Sequence, residues 1–208
     1  MRERLTIFDE HYNKLGTALR DEVHAKGCWH EVFHCWVIEK IEDEWMIYFQ
    51  LRSQSKKDYP GQYDISAAGH LLATETVFDG VRELNEELGL DVTMDELNSL
   101  GVISYKIDNE QIKDYEFANV FVYEITNGLE RFHIQREELD GIYPMKLMQF
   151  YDIANGEKQQ VPVTGYYYRG DVKVSDRQEI GLDRMQTLPQ LYIVPFIEKL
   201  QAWRKSKA

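Results

Sequence analysis

The chain has 208 residues and a formal net charge of -12 at neutral pH. Hydrophobic residues at 43% and aromatics at 12% suffice for a packed core and exclude a globally disordered chain. An acidic surface of this kind repels nucleic-acid backbones. That sets aside a nucleic-acid polymer as partner and leaves small polyanions, held where cations and local basic residues neutralise them.

Residues 3–8 read as a short strand, followed by a turn at 13–16 and a polar stretch to Lys26. The only cysteines, Cys28 and Cys35, are too few for a disulfide framework and fit no zinc spacing, so both are read as reduced residues near a core. Residues 31–40 and 44–52 are β-branched and aromatic runs that predict two strands joined by a hairpin loop at Glu42 and Asp43. The basic segment RSQSKKDYPG then closes at Pro60 and Gly61, and YDISAAG reads as a short strand reaching Gly69.

Over 77–88 the spacing turns helical, with Val77, Val81, Leu84 and Leu88 on one face and Gly89 as the C-cap. Strands follow at 100–107 and 115–125. A helix is expected over 136–154, with Pro144 interrupting or starting it, then extended chain over 160–175 and a last helix at 188–204 kinked at Pro195. No repeat or composition shift marks a boundary. The expectation is one α/β domain over 1–208, with a core at 30–155 and an extension at 156–208. No leader pattern follows Met1 and no apolar run reaches ~18 residues, which predicts a cytoplasmic protein without a membrane span.

The chemistry concentrates in GHLLATETVFDGVRELNEELGL, residues 69–90. At ~100° per helical residue, Glu83, Glu86 and Glu87 share an arc of roughly 100°, while Val81, Leu84 and Leu88 point the other way. Three carboxylates on one narrow face repel each other unless a cation neutralises them, and an all-oxygen cluster suits Mg²⁺ or Mn²⁺.

Gly69, Glu75 and the run Arg82-Glu83-Leu84-Asn85-Glu86-Glu87-Leu88-Gly89-Leu90 resemble the Nudix box, G-x5-E-x7-R-E-U-x-E-E-x-G-U, where U is a bulky aliphatic residue. Six residues separate Glu75 from Arg82 where the pattern has seven, which leaves the placement of Glu75 open. The resemblance implies a Nudix fold, a mixed β-sheet between helices, here with a C-terminal helical extension. It implies Glu83, Glu86 and Glu87 as metal-holding catalytic residues, Arg82 orienting them by ion pairing, and Gly69 letting the backbone turn closely into the helix. The implied reaction is hydrolysis of a diphosphate linkage by water activated at a divalent metal. The base would be one of these glutamates or a downstream acid such as Glu137 or Glu138.

From near the N-terminus to about residue 125, the chain also resembles the isopentenyl diphosphate isomerases, which share that fold. Carried over by position, Arg52 and Lys56 would contact the substrate diphosphate, beside Gly69 and His70. The isomerases' site of three histidines and two acids maps onto His24, His30, His70, Asp114 and Glu116, with the His24–His30 interval one residue short. Glu116 joins the metal set, since Asp114 and Glu116 alternate onto one face of a strand. The cysteine that moves the isomerases' allylic proton is replaced by Ala68, and a methyl group transfers no proton. The helix motif, degenerate in isomerases, is complete here. Both features favour hydrolysis of a nucleoside diphosphate derivative or another organic diphosphate. An isomerase, or a non-catalytic regulator on a Nudix scaffold, is the alternative.

The sequence does not name the substrate. Tyr63, Tyr115 and the run at 166–168 are the aromatics available to stack on a base. Leu191, Phe196, Leu200 and Trp203 are apolar enough to wall a pocket or to form a homodimer contact.

Overall fold

The computed structural model describes residues 3–110 and 112–207. Its longest strand, β3 (Trp29–Ile41), sends alternate side chains to opposite faces. Val32, Trp36 and Ile38 enter one buried cluster, and Phe33, Cys35 and Val37 enter a second. A strand apolar on both faces belongs inside a sheet covered on both sides.

β3 holds that place. Along one edge it pairs in parallel with β8 (Lys113–Glu124). Its other edge takes, in antiparallel register, β1 (Arg4–Phe8), β6 (Ala67–His70) and β4 (Glu44–Arg52). β2 (Lys14–Leu19) extends β1, β7 (Asn98–Asp108) extends β8, and β5 (Tyr63–Asp64) lies on β4. From β4 the sheet continues through β9 (Leu139–Lys146), β10 (Gln160–Arg169) and β11 (Val172–Gly181). The first cluster is closed by α3 (Leu147–Ala154) and α4 (Gln190–Lys207) through Phe150, Tyr192, Phe196 and Leu200. The second is closed by α2 (Arg82–Leu88) through Leu84 and Leu88. The expected mixed sheet between helices, with a helix at the C-terminal end, is the fold observed.

Local departures have identifiable causes. The first turn falls at 9–12, where the Asp9 carboxylate accepts the N–H groups of His11 (2.9 Å) and Asn13 (2.8 Å). The expected turn at 13–16 and polar stretch to Lys26 are instead β2 and α1 (Arg20–Lys26). YDISAAG splits into β5 and β6 around Ser66, whose hydroxyl bridges Tyr48 O and the Val37 N–H. The helix expected from 77 begins at Arg82, after a 3₁₀ turn at Asp79–Val81. Residues 139–146 are strand rather than helix, and only Leu147 starts α3. Pro144 is accommodated because β9 meets β10 only at Gly141 and Ile142, so no complete ladder asks for its missing N–H.

The last fifty residues carry the β10–β11 hairpin as well as a helix, and α4 runs unbroken through Pro195. Phe196 and Leu200 are fully buried in the chain's own core, so neither forms a dimer contact; Leu191 is 66% exposed. No helix among the described residues is long and apolar enough to cross a membrane.

Gly89 ends α2 in the left-handed region at φ 66°, donating its N–H to Asn85 O. A Cβ there would stand 2.7 Å from both Cβ and O of His133. Gly89→Ala is therefore expected to cost about 2–3 kcal/mol, read as a lower urea midpoint at unchanged m-value.

Candidate active site

A pocket of about 1040 Å³ opens where β3, β6, α2 and the loop after β4 converge. It is lined by Glu83, Glu86, Glu87 and Arg82 of α2, by Ala68, Gly69 and His70 of β6, and by Arg52, Lys56 and Glu116. The box residues, Arg52, Lys56, His70 and Glu116 thus face one volume, whereas His24, His30 and Asp114 are not among its lining residues.

The Nudix-box residues are tied together through Arg82. Its Nε donates to Glu75 Oε1 (2.9 Å) and Nη2 to Glu75 Oε2 (3.1 Å), while Nη1 pairs with Glu83 and with Glu86 (3.0 Å). Nη2 also donates to His70 O at 3.1 Å, joining α2 to β6. The short interval after Glu75 therefore leaves that residue on Arg82, and the 3₁₀ turn before the helix spans more length per residue than an α-turn would. Glu87 is buried and accepts from the Ala68 N–H (3.1 Å) and Gln50 Nε2 (3.2 Å). Burial pushes the Glu83 carboxyl up to about 7 and the Glu87 carboxyl well above the usual range.

β6 sets the spacing between helix and sheet. Gly69 lies opposite Phe33 in the ladder, and a Cβ on it would overlap the Glu83 carboxyl group. Ala68 lies opposite His34, and both line the pocket. Cys35 is one residue out of phase: it lies opposite Ala67, buried among Phe33, Val37 and Leu84. It cannot replace the proton-moving cysteine absent at Ala68. Cys28 is not among the residues that line the pocket.

Beside the box residues stands a histidine–carboxylate cluster. The short helix α1 brings His24 to β3 and β6, so that His24 Nε2 lies 3.2 Å from His70 Nε2 and 3.6 Å from Asp114 Oδ1. His30 Nε2 is 3.4 Å from the same Asp114 oxygen. Both His30 Nε2 and Asp114 Oδ1 are buried without a hydrogen-bond partner. Among the described residues, His24, His30 and His70 form one group whose ligand atoms all lie within 4.8 Å, and His30, Asp114 and Glu116 form another. Glu83, Glu86 and Glu87 do not close to that spacing; the Arg82 guanidinium stands on Glu83 and Glu86. Burial holds His30 down to about 4 and His70 well below its ordinary value, so both rings are neutral and free to ligate. Burial likewise raises Asp114 and Glu116. Orphaned donors and acceptors aimed at one another, with carboxyls that need a counter-charge, fit divalent cations.

At the mouth, Arg52 is committed to Asp64 Oδ2 (2.9 Å) and Asp58 O (2.9 Å), and Lys56 pairs with Glu138. The aromatics considered for stacking lie elsewhere. Tyr63 and Tyr166 are core residues, Tyr115 packs on Trp29, Tyr167 and Tyr168 sit on the β10–β11 hairpin beneath Arg169 and Arg136, and none lines the pocket. The pocket also contains Arg20, His34, Asp64, Tyr105 and Thr187, which sequence reasoning missed. Only His34 had a local signal, sitting four residues after His30 and hence on the same strand face.

No protein-family model matches the chain. An uncharacterised Nudix hydrolase of Clostridium acetobutylicum is 38% identical over 145 residues, covering 70% of each chain. The chain belongs to the Nudix hydrolase family. An isopentenyl-diphosphate Delta-isomerase of Corynebacterium diphtheriae is 30% identical over 156 residues, 70% of this Nudix hydrolase and 81% of the isomerase. Among solved structures, a MutT/nudix family protein from Enterococcus faecalis aligns with a TM-score of 0.51 at 14% identity, over 83% of this chain and 61% of that one. A Deinococcus radiodurans protein aligns at 0.50 with 20% identity, over 74% and 90%. These two likenesses speak for the fold. This Nudix hydrolase thus stands beside the isomerases in sequence while carrying Ala68 where their proton-moving cysteine is expected.

Proposed function

We propose that this Nudix hydrolase cleaves the diphosphate linkage of a small organic diphosphate, with nucleoside diphosphate derivatives as the leading class and Mg²⁺ or Mn²⁺ as the metal. The observation that carries this is one pocket that brings Glu83, Glu86, Glu87 and Glu116 together with Arg52 and Lys56. A divalent cation held by those acids would offset the charge developing on the phosphoryl oxygens and make water a better nucleophile. Lys56 and Arg52 would orient the diphosphate, Lys56 as a mobile point charge and Arg52 from a fixed position. Gly69 keeps β6 close to Glu83, and Arg82 sets the angle of the glutamate face. His24, His30, His70 and Asp114 with Glu116 would hold a second divalent cation beside the pocket.

The test is incubation with Mg²⁺ and a panel of diphosphates. Release of monophosphates, lost in Glu86→Gln, supports hydrolysis. Conversion of isopentenyl to dimethylallyl diphosphate would replace this reading with isomerisation, and tight binding without turnover would replace it with a regulator.

Metal dependence has a pH signature. The Glu83 carboxyl titrates near 4.5 when unfolded and at about 7 when folded, so between those values the folded state holds the extra proton. The metal-free protein therefore loses stability as pH rises through this window. A cation binds the ionised form and removes that cost. The rise in Tm on adding Mg²⁺ is expected to be small near about pH 5.5 and clearly larger near about pH 8, by thermal denaturation; a pH-independent rise would remove Glu83 from the ligand set.

A further inference from the structure

Two pocket residues of opposite charge are bonded to each other. The Lys56 ammonium pairs with the Glu138 carboxylate, and both line the pocket. Their loops are stitched into one lip: the Ser53 N–H donates to Glu138 O (2.9 Å), Ser55 Oγ to Glu137 O (3.1 Å), and the Gln54 N–H to Asp140 Oδ2 (3.1 Å). The segment leading to Glu138 also hangs from α2, with the His133 N–H on Leu88 O (2.8 Å) and the Gln135 N–H on Glu87 O (2.9 Å). The Leu139 N–H returns to Gln135 O at 2.9 Å, closing the turn. The Glu138 backbone is thereby fixed to the helix that carries the glutamate face. Its carboxylate is held by Lys56, and the two side chains are 36% and 31% exposed. Arg52 differs, since two internal acceptors hold its guanidinium in place.

A partly exposed Lys–Glu pair is weak and geometrically unspecific. A diphosphate brings more charge and several acceptor oxygens, so it outcompetes one carboxylate for the ammonium group. Glu138 then lies free in the same pocket as Glu87, on a segment tied to that residue through the Gln135 N–H.

We propose that Lys56–Glu138 is an exchangeable pair. The substrate diphosphate takes Lys56, and the released Glu138 carboxylate becomes the base for the attacking water. This rests on the hydrolase reading above. In the step, water gives one proton to Glu138 and its oxygen bonds to phosphorus. The bond from that phosphorus to the bridging oxygen breaks, and the bridging oxygen leaves with the electron pair on the second phosphate. The proton passes from Glu138 to the departing phosphate or to solvent. Lys56 gates the base without touching the reacting water.

The experiment measures binding of the non-hydrolysable probe methylenediphosphonate, with Mg²⁺, to the full chain by calorimetry, and kcat on whichever panel diphosphate is turned over fastest. Lys56→Met should weaken binding by about tenfold, whereas Glu138→Gln should tighten it about three- to fivefold because the competitor for Lys56 is gone. The same Glu138→Gln should lower kcat by about 10²-fold or more, with formate partly restoring turnover to Glu138→Ala. A merely structural Glu138 would move both readouts in the same unfavourable direction. Weaker probe binding by Glu138→Gln, or no effect of Lys56→Met, overturns the exchange. An unchanged kcat in Glu138→Gln overturns the base. If no diphosphate is hydrolysed, the hydrolase reading and the base role fail together, and the exchange is still decided by the two binding constants.

Discussion

Glu87→Gln is expected to lower kcat for diphosphate hydrolysis by about 10³-fold while raising the melting temperature of the metal-free protein. The two effects share one cause. Glu87 is buried, and its surroundings favour the protonated form, so in the metal-free protein desolvation opposes its ionisation and folding carries that cost. A neutral side chain of the same shape removes that cost. Its amide oxygen can still accept the Ala68 N–H, which fixes β6 against α2. What disappears is the charge on which a cation would be held. A variant that is less active and more stable is the mark of a residue kept for function at the expense of stability. Measuring kcat and Tm on the same preparation checks both, and a kcat within tenfold of the parent, or a lower Tm, would count against Glu87 as a ligand.

Gly69→Ala is expected to cost about 10²-fold in activity with little loss of folded protein. The strand conformation at Gly69 is one any residue adopts, so the substitution strains no backbone. The obstacle is the Glu83 carboxyl, which occupies the space a methyl group would need. The methyl displaces the Glu83 carboxyl from its contact with Arg82 and so disturbs the glutamate face. Circular dichroism should be unchanged while the Mg²⁺ concentration for half-maximal activity rises. An active Gly69→Ala enzyme would mean that the Glu83 position tolerates displacement.

The elements most legible in the sequence are those whose apolar pattern has one reading. β3 and β4 follow from β-branched runs around a two-residue turn, and the C-cap of α2 follows from Gly89 after Leu88. The misreadings fall where local pattern is ambiguous. Residues 139–146 carry apolar side chains at spacings that suit either period, and only pairing with β4 decides for strand. Residues 20–26 look polar because a single side chain, Val23, is buried in that helix.

The site divides in the same way. Glu83, Glu86, Glu87, Arg82 and Gly69 are legible because helix geometry and close packing fix their spacing within a short segment. Arg20, Asp64 and Thr187 are invisible in the sequence because they meet the pocket only through strand order and the return of the chain. The bonds that occupy Arg52 and Lys56 are equally hidden, since Asp64 and Glu138 are 12 and 82 residues away in sequence.

The position of α4 also sets an order of events as the chain is made. β3 emerges early, yet Trp36 at its centre is buried against Phe196, and its indole N–H finds an acceptor only in the Tyr192 hydroxyl, 156 residues later. Until α4 has been synthesised, the middle of the sheet keeps one apolar face open and the pocket lacks Thr187. The nascent protein therefore carries all its box glutamates well before its core is closed, and during that interval the uncovered face of β3 is the surface a chaperone would have to shield.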